Sequence, residues 1–243
     1  MTKLLSYILT PISLLLFCFY LFFFHIVQLV CQLFSERVRQ KSIVPLCYML
    51  SYCPLWVGAK IKFEGFKDIP ENRPLVILSN HQSALDIPAL VVGFKNKYMR
   101  FVAKKSLEKG VPSVSHNLKV GGSALIDRSN PRQAIGEIAK LGKLVEKENG
   151  AVSIFPEGTR TRNGKMRKFQ SSGVTTLLKY TPSALVIPVV IQGNYELSKD
   201  GIFPLPWGVK LNYTALTPIE TKDKTGEEVT LEAENAIREY LGE

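Results

Sequence analysis

The sequence predicts an α/β fold, with a mixed, largely parallel sheet flanked by helices and preceded by an N-terminal hydrophobic, membrane-associated helical segment. Three observations support this class. The chain before Lys60 is mostly apolar, short β-rich apolar runs recur after it, and segments with helical periodicity separate those runs. We therefore divide the chain into a membrane-anchoring segment, residues 1–59, and an α/β domain, residues 60–243.

The N-terminal segment contains two apolar stretches of different length. Leu4–Leu33 has no charged residue and is long enough to cross a bilayer. Ile43–Ala59 is shorter and contains two prolines, which favours a re-entrant or interfacial helix over a second span. A cleaved signal peptide is the alternative, but the apolar run is long and no Ala-x-Ala-like site follows it.

The basic residues indicate the side of the membrane and the kind of partner. Arg37, Arg39 and Lys41 lie between the two stretches, so the positive-inside rule places this linker and the α/β domain in the cytoplasm. The net charge of +10 suits anionic lipid or nucleic acid. The membrane segment favours lipid, and no aromatic-interleaved nucleic-acid signature accompanies the basic clusters.

The cysteines and histidines do not indicate a metal site. All four cysteines lie in the apolar region without C-x-x-C spacing, at Cys18, Cys31, Cys47 and Cys53. The three histidines show no metal-ligand spacing. His25 is interpreted as an interfacial or packed residue, and His116 as an exposed loop residue without a nearby acid.

Seven apolar runs after Lys60 are predicted strands: Ile61–Phe66, Leu75–Ser79, Arg100–Ala103, Ser123–Ile126, Ala151–Phe155, Leu185–Ile191 and Val209–Tyr213. Asn130-Pro131 is a helix-start signal, and apolar residues follow it at helical spacing through Val145. A last helix is predicted over 227–241.

His81 follows the second of these strands and is the candidate general base. Asp86 lies five residues later, about 140° away on a continuous helix, so the two side chains can meet only across a turn. Pro88 places the helix start near Asp86, because proline is tolerated in a first turn. Asp86 can then accept from one ring nitrogen of His81 and leave the other free.

A second polar block, Phe155–Arg160, also follows a predicted strand, where open α/β sheets bind ligands. Gly158 permits close backbone approach, and Arg160 can grip a phosphate with two hydrogen bonds. The alternative is a surface turn with a Glu157–Arg160 ion pair. Arg128 is another phosphate candidate, or else a structural partner of Asp127.

Four blocks occur in a familiar order: Asn80–Asp86, Gly122–Arg128, Phe155–Arg160 and Val186–Ile191. Together they resemble the glycerolipid acyltransferases with the H-x-x-x-x-D motif, over about Lys60 to Gly193. The chain looks most like the 1-acylglycerol-3-phosphate acyltransferases, which add the second fatty acyl chain in phosphatidate synthesis. One departure is Val111–Asn117, which is more polar than the corresponding apolar stretch of many relatives.

The resemblance implies acyl transfer to the sn-2 hydroxyl of lysophosphatidate, with residues 60–243 as the catalytic domain. The donor would be acyl-coenzyme A or acyl-carrier protein, used as a substrate, and no cofactor or metal is implied. His81 and Asp86 would be catalytic. The implied substrate-binding residues are Glu157, Gly158, Thr159, Arg160, Arg128, Lys104 and Lys105, with Glu157 placing the two arginines.

The implied location is the inner membrane, with the catalytic domain on the cytoplasmic face in contact with membrane lipids. Three alternatives remain. One is an acyltransferase for another lysolipid, the second is a lipid or thioester hydrolase that uses His81 to activate water, and the third is a membrane-surface module without catalysis. The last has no use for the His81–Asp86 pair.

Overall fold

The computed structural model describes residues 2–243, so Met1, the first residue of the predicted anchoring segment, lies outside the described residues. The helices are α1 Thr2–Phe34, α2 Glu36–Lys41, α3 Ile43–Tyr52, α4 Asp86–Gly93, α5 Val114–Val120, α6 Pro131–Glu148, α7 Ser171–Tyr180, α8 Asn194–Ser198 and α9 Gly226–Leu241. The strands are β1 Lys60–Glu64, β2 Leu75–Ser79, β3 Met99–Lys104, β4 Ala124–Ile126, β5 Ala151–Ile154, β6 Leu185–Gln192, β7 Lys210–Ala215 and β8 Ile219–Glu220.

The strands form one sheet in the order β1-β7-β6-β2-β5-β3-β4, and β8 pairs with the beginning of β6. The pairs that involve β2, β3 and β5 are parallel, whereas β6 pairs antiparallel with β7 and β8. The predicted mixed, largely parallel α/β fold is confirmed. Because β4, β3, β5, β2 and β6 all run the same way, the loops after them open at one edge of the sheet.

The sheet separates two apolar cores. On one face, Ile77 of β2 packs in a cluster with Leu90 of α4 and Cys47 of α3. On the other face, Val76 of β2 packs with residues of α6, α7 and α9, among them Leu141. Every residue of β2 is buried, as expected of a central strand covered on both faces.

The seven predicted strands each match an observed strand, with ends that differ by at most two residues, and β8 was not predicted. Helix α4 begins at Asp86, and α6 begins at Pro131, where the Asn130 side chain accepts from the backbone N–H of Gln133. Helix α9 begins at Gly226 behind a capping box formed by Thr225 and Glu228. Local sequence signals therefore determine where these helices start.

Among residues 2–243, α1 is the one helix long and apolar enough to cross a membrane by length and composition. Its most apolar window has a mean hydropathy of 2.4, and only 6% of that window is buried. A narrow polar stripe nevertheless faces the rest of the protein. Thr10 Oγ1 accepts from Leu205 N at 3.0 Å, and Ser13 Oγ donates to Cys53 O at 2.9 Å.

Near its C-terminus α1 packs against α5, a segment that was predicted to be a loop. Gln28 Oε1 accepts from Ser113 Oγ at 2.6 Å and from Asn117 Nδ2 at 2.7 Å. His116 Nε2 lies 2.7 Å from Gln32 Oε1. The prediction of His116 as an exposed loop residue is therefore wrong, because it is half-buried in a helix, where burial lowers its pKa.

These contacts explain why Val111–Asn117 is polar. A buried glutamine oxygen on an apolar helix is costly unless it finds donors, and Ser113 and Asn117 provide them. From Thr10 to Gln32, the helix is held along about 33 Å of its length. Helix α1 is thus fixed to the α/β domain near both of its ends.

The linker between α1 and α3 exposes less charge than the sequence indicates. Arg39 is fully buried and hydrogen-bonds with Glu36, Asn117 and Tyr98. Arg37 and Lys41 are exposed. Two of the three basic residues are therefore free to face a membrane surface, whereas Arg39 joins α2 to α5 and to Tyr98, the residue before β3.

Helix α3 and the turn after it belong in part to the core. Cys47, Val57 and Ala59 are buried in the same cluster as β2 and β6. Met49 and Trp56 of this stretch are exposed. The Ile43–Ala59 stretch therefore forms a helix and a turn that complete one apolar core and leave Met49 and Trp56 exposed.

Gly193 permits the tight turn from β6 into α8. Its φ is +90°, and an added Cβ would lie 1.9 Å from the backbone oxygen of Lys210. Gly201 has a similar φ of +99°, but no atom lies within 4 Å of its added Cβ. The two glycines therefore differ in the space available rather than in backbone conformation.

We expect Gly193→Ala to reduce the free energy of unfolding much more than Gly201→Ala. The left-handed backbone alone costs about 1–2 kcal/mol, and the overlap with Lys210 adds about 1–3 kcal/mol at Gly193. Urea unfolding of both variants measures the difference. Equal losses would show that the β6–α8 turn moves aside freely.

Candidate active site

His81 lies in the loop after β2, at the sheet edge where the parallel strands end. The preceding residue, Asn80, fixes the start of this loop. Its side chain donates to Ile191 O and accepts from Ile191 N, each at 2.8 Å. Because Asn80 is buried, these two bonds tie the loop firmly to β6.

The predicted contact between His81 and Asp86 is present. His81 Nδ1 lies 2.7 Å from Asp86 Oδ2, with Asp86 at the first position of α4 and Pro88 in its first turn. The chain turns between the two residues, as their spacing requires. The Asp86 side chain is fully buried, whereas that of His81 is 13% exposed.

Asp86 accepts hydrogen bonds from three further groups. Its Oδ2 accepts from the backbone N–H of Gln82 at 2.6 Å and of Ser83 at 3.0 Å. Its Oδ1 accepts from Asn194 Nδ2 at 2.6 Å, and Asn194 Oδ1 accepts from Tyr213 Oη at 3.0 Å. Burial raises the pKa of Tyr213, which keeps this hydroxyl a donor. A carboxylate with so many donors has one orientation.

Asn194 and Tyr213 were not predicted as site residues from the sequence. They come from α8 and β7, more than 100 residues after Asp86, and neither belongs to a recognised block. A hint was present in the sequence, since Asn194 directly follows the glycine that ends β6. No spacing rule connects these residues to Asp86, so only the fold reveals the contact.

The His81 ring is also oriented by an aromatic side chain. Phe155, the residue after β5, stacks on it with ring centroids 3.9 Å apart and planes 16° from parallel. Among residues 2–243, His81 Nε2 has no hydrogen-bond partner. Nδ1 is therefore committed to Asp86, and Nε2 is available to accept a proton.

Glu157 has a different place from the one predicted. It is buried, and its two carboxylate oxygens accept from the backbone N–H of His81 at 2.7 Å and of Arg167 at 2.9 Å. Burial raises its pKa, and the two backbone hydrogen bonds oppose that shift. Within the described chain Glu157 makes no hydrogen bond or ion pair with the Arg160 or Arg128 side chain, so its direct partners are the backbone groups of His81 and Arg167.

The rest of the block forms the turn after β5. Gly158 has a φ of +71° and open space around it, and Thr159 is half-buried. Arg160 is exposed and makes no ion pair or hydrogen bond with the described residues. Thr161 N donates to His81 O at 2.8 Å, which holds the two loops together. The Glu157–Arg160 ion pair of the alternative interpretation is absent from residues 2–243.

The remaining predicted cations lie at the same edge of the sheet, but β5 separates their strands from β2 and the His81 loop. Lys104 ends β3, Lys105 follows it, and Arg128 follows β4, all exposed. Asp127 bonds to Ser129, not to Arg128. Those bonds lower the pKa of Asp127, and the charges of the two lysines add to the effect.

A cavity of about 620 Å³ lies beside the His81 loop. Its polar wall contains Gln82–Leu85 and Arg160–Arg162, and its apolar wall contains Leu14 and Phe17 of α1 with Ile202 and Leu205. An apolar pocket with a few charged groups suits an amphiphile with an anionic head. Within residues 2–243 no group of His, Cys, Asp and Glu suits a metal ion.

The backbone N–H groups after His81 are largely occupied. The N–H groups of Gln82 and Ser83 donate to Asp86 Oδ2, and the N–H group of Leu85 donates to Ser83 Oγ at 3.0 Å. The predicted oxyanion donors at the start of α4 are therefore mostly unavailable. Ala84 N has no partner among the described residues, and Ala84 lines the cavity.

Comparison with known proteins identifies the family. A sequence profile described as "Acyltransferase" matches residues 60–192, more than half of the chain. The chain belongs to the acyltransferase family. The matched range includes His81 and the Phe155–Arg160 block. The chain is therefore called an acyltransferase below.

Similar proteins include 1-acyl-sn-glycerol-3-phosphate acyltransferase alpha of Mus musculus, 25% identical over 214 residues, or 87% of this acyltransferase and 72% of that protein. Another is 1-acyl-sn-glycerol-3-phosphate acyltransferase of Borreliella burgdorferi, 32% identical over 142 residues, or 58% of this chain and 56% of that protein. The chain thus matches just over half the length of the second relative.

A solved structure shares the fold. It is the 1-acyl-sn-glycerophosphate (LPA) acyltransferase PlsC of Thermotoga maritima, with a TM-score of 0.79 and 24% sequence identity. The match covers 100% of this acyltransferase and 97% of that chain. The likeness includes the N-terminal helices, which therefore belong to a shared architecture.

We expect Glu157→Gln to loosen the site of this acyltransferase. A glutamine offers one acceptor oxygen and turns its NH₂ group toward a backbone N–H, so one hydrogen bond to a charged group is lost. That loss is about 1.5–3 kcal/mol of the free energy of unfolding, measured by urea denaturation. Glu137→Gln, in an exposed pair with Lys140, should change it by less than about 0.5 kcal/mol. Equal small effects would exclude a bracing role for Glu157.

Proposed function

We propose that this acyltransferase transfers a fatty acyl group from acyl-coenzyme A or acyl-carrier protein to the sn-2 hydroxyl of 1-acylglycerol-3-phosphate, forming phosphatidate. The observation that carries the proposal is the His81–Asp86 contact beside a cavity with an unpaired arginine. The relatives named 1-acyl-sn-glycerol-3-phosphate acyltransferase support the acceptor.

His81 acts as the general base in this proposal. Nε2 takes the proton of the acceptor hydroxyl while the hydroxyl oxygen attacks the thioester carbonyl. Asp86 stabilises the imidazolium that forms, because its oxygen lies 2.7 Å from Nδ1. Collapse of the tetrahedral intermediate expels the thiolate, which leaves as a thiol with the proton from His81. No acyl-enzyme is needed, since the acceptor is the nucleophile.

The oxyanion of that intermediate needs a hydrogen-bond donor. We assign this role to Ala84 N–H, since its neighbours in the turn are already occupied. The group lies in the cavity wall next to the His81 loop. Fixed backbone donors of this kind contribute more to transition-state stabilisation than to substrate binding.

The exposed cations would bind the phosphates. Arg160 lines the cavity without a partner and is the group proposed to bind the acceptor phosphate, together with Arg128. Gly158 and Thr159 shape the turn that presents Arg160. Lys104 and Lys105 lie beyond β5, where they would add charge at the acceptor or hold phosphates of the donor.

The membrane location follows from α1 and the exposed basic residues. Because α1 is fixed to the domain along its length, we propose that it lies in one leaflet rather than crossing the bilayer. Arg37 and Lys41 then face anionic headgroups of the cytoplasmic leaflet of the inner membrane. Residues 60–243 act as the catalytic domain on that side.

A panel assay tests the reaction. Purified protein receives labelled acyl-coenzyme A or acyl-carrier protein with several lysolipids, and we expect labelled phosphatidate from lysophosphatidate. His81→Ala should lose about 10²–10⁴-fold in turnover while remaining bound to membranes. Release of free fatty acid without any acceptor would identify a hydrolase instead, and wild-type turnover by His81→Ala would exclude the mechanism.

Asn194→Ala should lower turnover by up to about 10²-fold with little change in the Michaelis constant, because Asp86 loses the donor that orients it. Tyr213→Phe keeps the ring and removes only the hydroxyl that fixes the Asn194 amide, so its loss should be smaller. Kinetics are measured below the melting temperature of each variant. A normal turnover number for folded Asn194→Ala would show that Asp86 needs no such support.

Arg160→Ala should reduce kcat/KM for lysophosphatidate. The ratio of the wild-type and variant values should correspond to about 1.5–3 kcal/mol, the value for a hydrogen bond to a charged group. A lysolipid without a phosphate should be affected far less. Arg132→Ala is the matched control, since Arg132 is also exposed but lies on α6. Equal losses on both acceptors would mean that Arg160 contacts the donor or braces the site.

A further inference from the structure

The loop between α8 and β7 exposes three large apolar side chains. Ile202 is 69% exposed, Phe203 50% and Trp207 39%. Single exposed apolar residues are common on soluble proteins, but a cluster of them on one loop indicates a binding surface. We call residues 201–207 the apolar loop.

The apolar loop lies against the N-terminal part of α1. The rings of Phe203 and Tyr7 meet edge to face with centroids 5.6 Å apart, and Leu205 N donates to Thr10 at 3.0 Å. Leu4 and Ile8, which lie close to Tyr7 along α1, are also exposed. The exposed apolar surface of α1 therefore continues onto the loop.

The other end of the loop rests on the turn after α3. Gly208 N donates to Val57 O at 2.9 Å. A Cβ at Gly58 would lie 2.7 Å from the Trp207 ring, so the absence of a side chain there makes room for the indole. Trp56, in the same turn, is 50% exposed. The loop is thus held at both ends while its apolar side chains face outward.

Basic residues flank the apolar loop. Lys210 lies three residues after Trp207, and it faces Lys60 across the β1–β7 pair. Both are exposed, and neither forms an ion pair with the described residues. Exposed tryptophan beside lysine is typical of the interface between a bilayer and water, and the lysines complement anionic headgroups.

We infer that the apolar loop inserts into an anionic phospholipid surface beside α1 and forms the lipid-facing edge of the cavity. Ile202 and Leu205 line that cavity together with Arg160. A lysolipid could then reach Arg160 with its head while its acyl chain stays in the leaflet. The second part of this inference rests on the proposed function, whereas the contact with lipid does not.

Fluorescence quenching tests the contact with lipid. The chain has two tryptophans, so Trp56→Phe leaves Trp207 as the only one. With vesicles of phosphatidylcholine and phosphatidylglycerol, we expect brominated acyl chains to quench Trp207. The control probe is Ile135→Trp in a Trp56→Phe/Trp207→Phe background, since Ile135 is 50% exposed on α6, across the sheet. The control should not be quenched.

Kinetics test the role at the cavity. Phe203→Ser should raise the Michaelis constant for lysophosphatidate in vesicles about 3–10-fold, from the loss of part of a phenyl group's burial in lipid. The constant for a dispersed short-chain acceptor should stay the same. Ile135→Ser removes an equally exposed apolar side chain and should change neither constant.

The outcomes separate the two parts of the inference. Unquenched Trp207 in vesicle-bound protein overturns the lipid contact, and a dimer in solution that Phe203→Ser dissociates would then assign the patch to a second copy of this chain. Equal rises on both acceptors overturn the cavity role. Quenched Trp207 in a protein that acylates no lysolipid would confirm the contact and refute the proposed function.

Discussion

The site depends on the fixed carboxylate of Asp86. Buried charges are unfavourable unless hydrogen bonds replace the lost water, and here donors from the turn, α8 and the His81 ring supply them. Those donors belong to segments that follow β2 and β6, which are neighbours in the sheet. The strand order thus brings together groups that lie far apart along the chain, and the orientation of His81 follows from it.

Glu157 has the corresponding role for the backbone. It joins the loop after β2 to the loop after β5, and it also bonds the later part of its own loop at Arg167, so that one carboxylate fixes both loops. The turn that bears Arg160 is therefore set relative to His81 by the same interaction.

Features encoded by neighbouring residues were predictable from the sequence. The strands, the starts of α4 and α6 and the His81–Asp86 contact all follow from apolar runs, caps and the position of Pro88. Features that need long-range contacts were not. Asn194 reaches Asp86 across 108 positions, and the polarity of α5 has a reason only once Gln28 of α1 is seen beside it. Glu157 was identified, but its partners were not, since backbone donors leave no trace in a sequence pattern.

The amide of Gln28 has a consequence for how anchoring and folding are connected. In a lipid environment without α5, the oxygen of this amide would lose both of its donors, so α1 is more compatible with the membrane when the domain is folded against it. Membrane partitioning and domain stability are then thermodynamically linked. Lipids that draw α1 deeper would weaken its hold on α5, and lipids that keep it at the surface would strengthen it. The bilayer would in this way act as an allosteric ligand of the whole protein.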